Sequence, residues 1–272
     1  MKTKVKFPNL WHSIIITIVM SVLVIIAVIM QTMIKPYLKI DRELLRLLTY
    51  IIALIPVALL CFIIWKKLNI GVSNFENLKF NFWSVPLVSI GAFLTMLITS
   101  QLSTVVPMPD SVKNQILEMM DEYSIWSFLL MVICAPFLEE YIFRGVILRG
   151  LLFRMKPILA IIISSILFGM AHLNPWQFIG AFFIGIFSGW LYYRTKNLLL
   201  SILVHFICNL FGYLTRVYLS RNPEMISWDN VYSIFGLEET LPYTLLNLFI
   251  LVTIIIVLNR NLKKETCKIK NI

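Results

Sequence analysis

Five ionisable side chains fall inside stretches that otherwise suit only an apolar surrounding: Glu139, Glu140, Arg144, His172 and His205. A charged group at mid-bilayer depth costs about 3 kcal/mol even on the mildest insertion scales, so each of these needs a partner or a task. With Asn209 they form three clusters in chain order. Glu140 and Arg144 are four residues apart and share one helix face, where they can neutralise each other. Glu139 points roughly 100° away from Glu140, so it cannot share that face fully. His205 and Asn209 repeat the four-residue spacing, and so do Phe168 and His172, which puts an aromatic ring one turn beneath an imidazole.

These residue types have the parts that peptide hydrolysis requires. A carboxylate and an imidazole can hold a water between them and take its proton. A second imidazole with an amide can donate hydrogen bonds to the oxyanion of a tetrahedral intermediate. Two histidines and a glutamate are also a plausible zinc set. The HExxH motif of zinc proteases is absent, so such a site would have to be assembled between helices. A single His or Asn in a span often does no more than bond one helix to another. The Glu139–Glu140 pair resists that reading, because an ion pair with Arg144 accounts for only one of the two. Ser164, Ser165 and Thr95 are expected to be packing or back-bonding groups.

Three helices must carry these clusters, and the whole chain reads as such helices. Of 272 residues, 59% are hydrophobic and 14% charged, too little polar surface for a soluble domain of this length. Apolar runs of about 20 residues recur throughout. The pattern predicts an all-α, polytopic membrane bundle of about eight spans, near 10–33, 44–65, 82–103, 125–147, 157–173, 176–194, 197–218 and 240–259, forming one membrane domain over 1–272. The fifth and sixth spans are joined only by the turn at Asn174–Pro175 and should form a tight hairpin. The first run follows Lys2, Lys4 and Lys6 like the start of a signal peptide, but its length and the lack of a small-residue cleavage site predict a retained helix.

A net charge of +10 raises the question of nucleic acid, which the placement of the basic residues argues against. They flank the spans and concentrate on the side that holds both termini, which predicts cytoplasmic termini in a cell membrane. The first loop runs against this bias, with Lys35, Lys39, Arg42 and Arg46 on the opposite side. Cys61, Cys134 and Cys208 lie in apolar runs and form no metal or disulfide pattern. Residues 107–123 are an amphipathic stretch, expected to be a solvated loop helix or, in the sharper reading, a substrate gate.

Glu139-Glu140-Tyr-Ile-Phe-Arg144, Phe168-Gly-Met-Ala-His172 and His205-Phe-Ile-Cys-Asn209 together resemble the EExxxR, FxxxH and HxxxN signatures of the CPBP family, the CAAX protease and bacteriocin-processing (Abi) intramembrane endopeptidases. The type II CAAX prenyl endopeptidase belongs to the same superfamily. The resemblance covers about residues 125–213, the expected catalytic core. It implies that Glu139 and His172 activate the attacking water, that His205 and Asn209 stabilise the oxyanion, and that Glu140 and Arg144 organise the site. It implies a membrane-associated peptide or protein as substrate, and in a chain of bacterial character, peptide maturation or bacteriocin resistance. No obligatory metal is expected; a zinc or other divalent ion, if held, would take Glu139, His172 and His205. Two rivals remain from other classes: a proton-coupled transporter, and a non-catalytic immunity or sensor-partner scaffold.

Overall fold

The computed structural model describes residues 6–69, 82–107, 109, 124–222 and 237–262; the amphipathic stretch at 107–123 lies almost wholly outside them. Among the described residues, eight principal helices follow one another: α1 (Leu10–Ile34, continued by a 3₁₀ turn, Lys35–Tyr37), α2 (Arg42–Leu68), α3 (Ser84–Thr104), α4 (Ile125–Leu152), α5 (Pro157–Met170), α6 (Pro175–Thr195), α7 (Leu198–Arg221) and α8 (Leu237–Asn261). No strand occurs among the described residues.

Short polar side chains begin these helices by satisfying the amide groups that a first turn leaves free. Asn9 and His12 form a reciprocal box at α1, and Ser124 and Ser127 form another at α4. Asp41, Asn174 and Asn197 accept from the opening amides of α2, α6 and α7. Pro157 and Pro175 occupy the first positions of α5 and α6, where a missing N–H costs nothing.

Among the described residues, six helices are long and apolar enough to cross a bilayer: α1, α2, α3, α4, α7 and the Thr240–Asn261 part of α8. The expected fifth and sixth spans form a hairpin whose arms are less typical. Helix α5 has 14 residues, about 21 Å at 1.5 Å per residue, short of a core about 30 Å thick. Its end comes three residues earlier than the hydrophobic pattern predicts, because Leu173 takes a left-handed backbone (φ 55°) and Asn174 at once caps α6. His172 therefore sits in the turn after α5, not within the helix.

Helices α1 and α8 present large apolar side chains outward, among them Ile15, Ile18, Ile29, Leu245, Phe249 and Ile256, as expected of lipid-facing surfaces. The centre of the bundle is built from α4, α5, α6 and α7, where Ile142, Phe143, Arg144, Ile147 and Leu148 are wholly buried. Small residues allow the close crossings. A Cβ at Gly169 would lie 2.7 Å from the Phe178 ring, and one at Gly185 would lie 2.9 Å from Ser165.

Helix α4 is not a regular α-helix. Two π-helical stretches, Leu129–Cys134 and Tyr141–Leu148, flank a short α-helical segment, Ala135–Glu140, that carries both glutamates. Pro136 stands at the head of that segment; it has no N–H to donate and its ring crowds the carbonyl four residues back, which favours a widened turn before it. Such bulges re-aim side chains and often accompany functional sites.

Candidate active site

The adjacent glutamates reach different surroundings. Glu140 is fully buried, and its Oε1 accepts from Arg144 Nη1 at 2.9 Å and from His205 Nδ1 at 3.1 Å. One carboxylate oxygen thus joins α4 to α7. The Arg144 guanidinium, also fully buried, lies 4.4 Å from the centre of the Phe168 ring on α5, a desolvated cation–π contact. Glu139 is half-buried and outside this network; its Oε1 accepts from the Tyr50 hydroxyl of α2 at 2.5 Å. The separation of faces expected from the sequence is present, with one glutamate in the ion pair and the other turned elsewhere.

Phe168 is the hub between the helices. Its ring meets Phe143, His172 and His205 edge-on, at 5.0, 5.2 and 5.5 Å between centroids. Ser164, one turn earlier, donates to the Phe143 carbonyl at 3.1 Å, so it bonds between helices while Ser165 and Thr95 bond back within their own. The Phe143 carbonyl lies in a π-helical stretch, where the regular ladder is disturbed and an outside donor is useful.

The register of α4 against α5 follows from these contacts. The two helices run antiparallel, so one turn back from Phe143 and one turn on from Phe168 lead in the same direction, to Glu139 and to His172. Depths counted from the ends of the predicted spans disagree by about 10 Å. The Phe143–Phe168 contact removes that disagreement.

The histidine tautomers follow from their partners. His172 Nδ1 lies 3.0 Å from the Phe168 carbonyl oxygen, which can only accept, so Nδ1 carries the proton and Nε2 keeps its lone pair. His205 Nδ1 likewise donates to the Glu140 carboxylate. The sequence spacing paired His205 with Asn209; in the structure neither bonds the other. Asn209 Nδ2 donates to the Met131 carbonyl at 2.8 Å, in the first π-helical stretch of α4, which leaves its second N–H for another acceptor.

Neither imidazole has a hydrogen-bond partner at Nε2 among the described residues, and a neutral ring in that state can bind a metal. A third ligand does not join them. Among the described residues no three His, Cys, Asp or Glu side chains gather into a group that could hold an ion, and Glu139 is engaged by Tyr50.

Sequence reasoning missed Tyr50 and the Met131 carbonyl. A tyrosine near the end of a span is ordinary at a membrane interface, and a backbone carbonyl has no sequence signature at all. An open, almost wholly apolar hollow of about 480 Å³ lies against the turn that carries His172, lined by Val106, Gly169, Met170, Leu173, Phe178 and neighbouring residues.

Residues 121–211 match the family model of the type II CAAX prenyl endopeptidase Rce1-like proteins, and that stretch contains Glu139, Glu140, Arg144, Phe168, His172, His205 and Asn209. The matched stretch, about a third of the chain, is similar to that family. A 101-residue stretch is 35% identical to the membrane-embedded CAAX protease MroQ of Staphylococcus aureus (strain USA300), covering 35% of this chain and 39% of that protein. The chain thus aligns with well under half the length of this relative. No solved structure matches.

Proposed function

We propose that this CPBP-family membrane protein is an intramembrane endopeptidase that cleaves a membrane-associated peptide or protein precursor by activated water. The observation that carries the reading is the division of labour within Glu139–Glu140. Glu140 is spent on Arg144 and His205, while Glu139 is partly open, held by one hydroxyl, and in register with a histidine that keeps a free Nε2.

In this reading Glu139 and His172 Nε2 hold a water and Glu139 takes its proton as the water oxygen attacks the peptide carbonyl carbon. The carbonyl π electrons move to oxygen. The resulting oxyanion receives hydrogen bonds from the second N–H of Asn209 and from His205 Nε2. Donation from Nε2 requires both protons on the His205 ring, since Nδ1–H is already given to Glu140. Collapse of the intermediate breaks the C–N bond, and the proton held by Glu139 passes to the departing amine. No step passes through a metal.

The apolar hollow beside His172 favours hydrophobic residues next to the scissile bond, as a membrane-associated substrate would supply. The charge bias of the sequence supports cytoplasmic termini. Peptide maturation fits this chemistry better than a proton-coupled transporter, because Glu140 and Arg144 are locked in a buried pair that offers no relay. The test is a comparison of membrane-peptide termini in cells with the intact chain, the Glu139→Gln chain, or neither. New termini that depend on the chain and vanish with Glu139→Gln are expected. Identical termini in all three would end the protease reading in favour of a scaffold.

A further inference from the structure

Helix α7 carries one more charged side chain on its site-facing side, and the mechanism above does not use it. Arg216 is eleven residues after His205, three full turns, so the two project along the same face with Asn209 and Tyr213 between them. This face lies against α4: Asn209 reaches the Met131 carbonyl, Tyr213 donates to the Ser124 carbonyl at 3.0 Å, and Arg216 Nη1 lies 3.7 Å from Met131 Sδ. A thioether is a weak acceptor. The Nε and Nη2 donors of Arg216 are buried and have no hydrogen-bond partner.

The charges facing Arg216 across the gap are Glu43 and Arg46 of α2. Glu43 is itself buried and gives its Oε1 to Arg46 Nη1 at 2.7 Å, so its charge is shared between Arg46 and Arg216. Helix α2 is the helix whose Tyr50 holds Glu139, two turns further along than Glu43. Arg46 and Tyr50 thus lie on α2, and Tyr213 and Arg216 lie on α7 beyond Asn209. Among the described residues, two arginines there face one carboxylate, Glu43. That position gives a use to Arg46, one of the first-loop basic residues that the charge bias of the sequence leaves unexplained.

We infer that Arg216 binds a carboxylate of the peptide undergoing cleavage, either its terminal carboxylate or an Asp or Glu side chain. A guanidinium with two desolvated, unpartnered donors on adjacent nitrogens suits a bidentate carboxylate. Asn209 and Arg216 are seven residues apart on α7, about 10 Å of rise, and an extended peptide advances about 3.3 Å per residue. The carboxylate thus lies about two to four residues from the bond that meets Asn209. This inference deepens the endopeptidase reading and rests on it for the location of that bond.

The experiment separates the two. The full chain carrying Glu139→Gln is purified in detergent and offered two synthetic apolar peptide libraries that differ only in ending in a free carboxylate or a carboxamide, each with Asp, Glu, Asn and Gln among its varied positions. Retained peptides are read by mass spectrometry. Retention of acid-ended over amide-ended peptides by about tenfold is expected if the chain terminus is the source. Selection of Asp and Glu over Asn and Gln at one fixed distance, whatever the end group, identifies the side chain instead. Either preference should vanish with Arg216→Gln and survive in part with Arg216→Lys. Competition by acetyl-leucine but not acetyl-leucinamide tests the same point with no change at Arg216. Equal retention of all peptides, a preference unaffected by Arg216→Gln, or an arginine effect confined to bound phosphatidylglycerol would overturn the inference. The same libraries given to the chain with Glu139 intact report cleavage separately: a carboxylate preference without cleavage sinks the protease reading and leaves the Arg216 site standing.

Discussion

Glu139 and Glu140 are joined by one peptide bond, yet they occupy opposite electrostatic surroundings. Glu140 is enclosed by Arg144, His205 and, behind the guanidinium, the face of Phe168. Glu139 is half-open and keeps a single neutral partner, Tyr50, on a different helix. A structural carboxylate in a bundle has to be charge-paired, as Glu140 is through Oε1 although its Oε2 has no hydrogen-bond partner, because an unpaired buried charge is among the most costly defects a fold can hold. A reactive carboxylate has to be left with spare capacity for water and substrate. The helix provides both by turning about 100° per residue, and the π-helical stretches on either side set which neighbours each side chain meets.

The contrast is broken most severely at the open glutamate. Glu139→Gln keeps the size of the side chain and removes the base, so turnover should fall about a hundred- to ten-thousand-fold. Thermal stability in detergent should stay within a few degrees of wild type, on the order expected for a change of about 1 kcal/mol or less. Full activity in this variant would reverse the assignment of the two glutamates.

Glu140→Gln should act in the opposite way. It leaves Arg144 without its counter-charge and His205 without an anionic partner, at about 3–5 kcal/mol for breaking a buried pair. Lower yield and a lowered midpoint in a thermal-shift assay are expected together with lost activity. If both variants lose expression equally, the glutamates form one structural pair and the contrast disappears.

A third change sharpens the contrast without touching either carboxylate. A Cβ at Gly185 would stand 3.1 Å from Arg144 Nη2 and 2.9 Å from Ser165. Gly185→Ala should therefore destabilise the protein by about 1–3 kcal/mol through overpacking. Its effect should follow that of Glu140→Gln in kind, on stability first, as measured by denaturant-dependent loss of near-UV signal.

The smallest expected effect is at Tyr50. Tyr50→Phe removes one neutral hydrogen bond to Glu139, about 0.5–1.5 kcal/mol, or a factor of a few to about ten in kcat. The stability midpoint should hardly move, because Glu139 can turn to water. A kinetic loss as large as that of Glu139→Gln would make the phenol a participant in the reaction.

Much of this site was legible in the order and type of residues. The ion pair at Glu140–Arg144, the exclusion of Glu139 from it and the aromatic beneath His172 all follow from helix periodicity, which acts over one turn and so is written locally. The eight helices also follow from local hydrophobicity, within a few residues at most ends. The end of α5 is where this reading fails: Ala171, His172 and Leu173 continue the hydrophobic run, but the cap at Asn174 and the left-handed turn at Leu173 stop the helix earlier.

What the sequence by itself determined was that five ionisable side chains had to sit in a helical bundle and that one carboxylate among them would be left out of the ion pair. The tertiary structure alone decided which partners each acquired. His205 turned to Glu140 and not to Asn209, Asn209 to a backbone carbonyl, and Glu139 to a tyrosine 89 residues away. The reason is physical: contacts within a helix depend on spacing, whereas contacts between helices depend on which faces the packing of Phe143, Phe168 and Gly185 brings together, and sequence separation carries no measure of that.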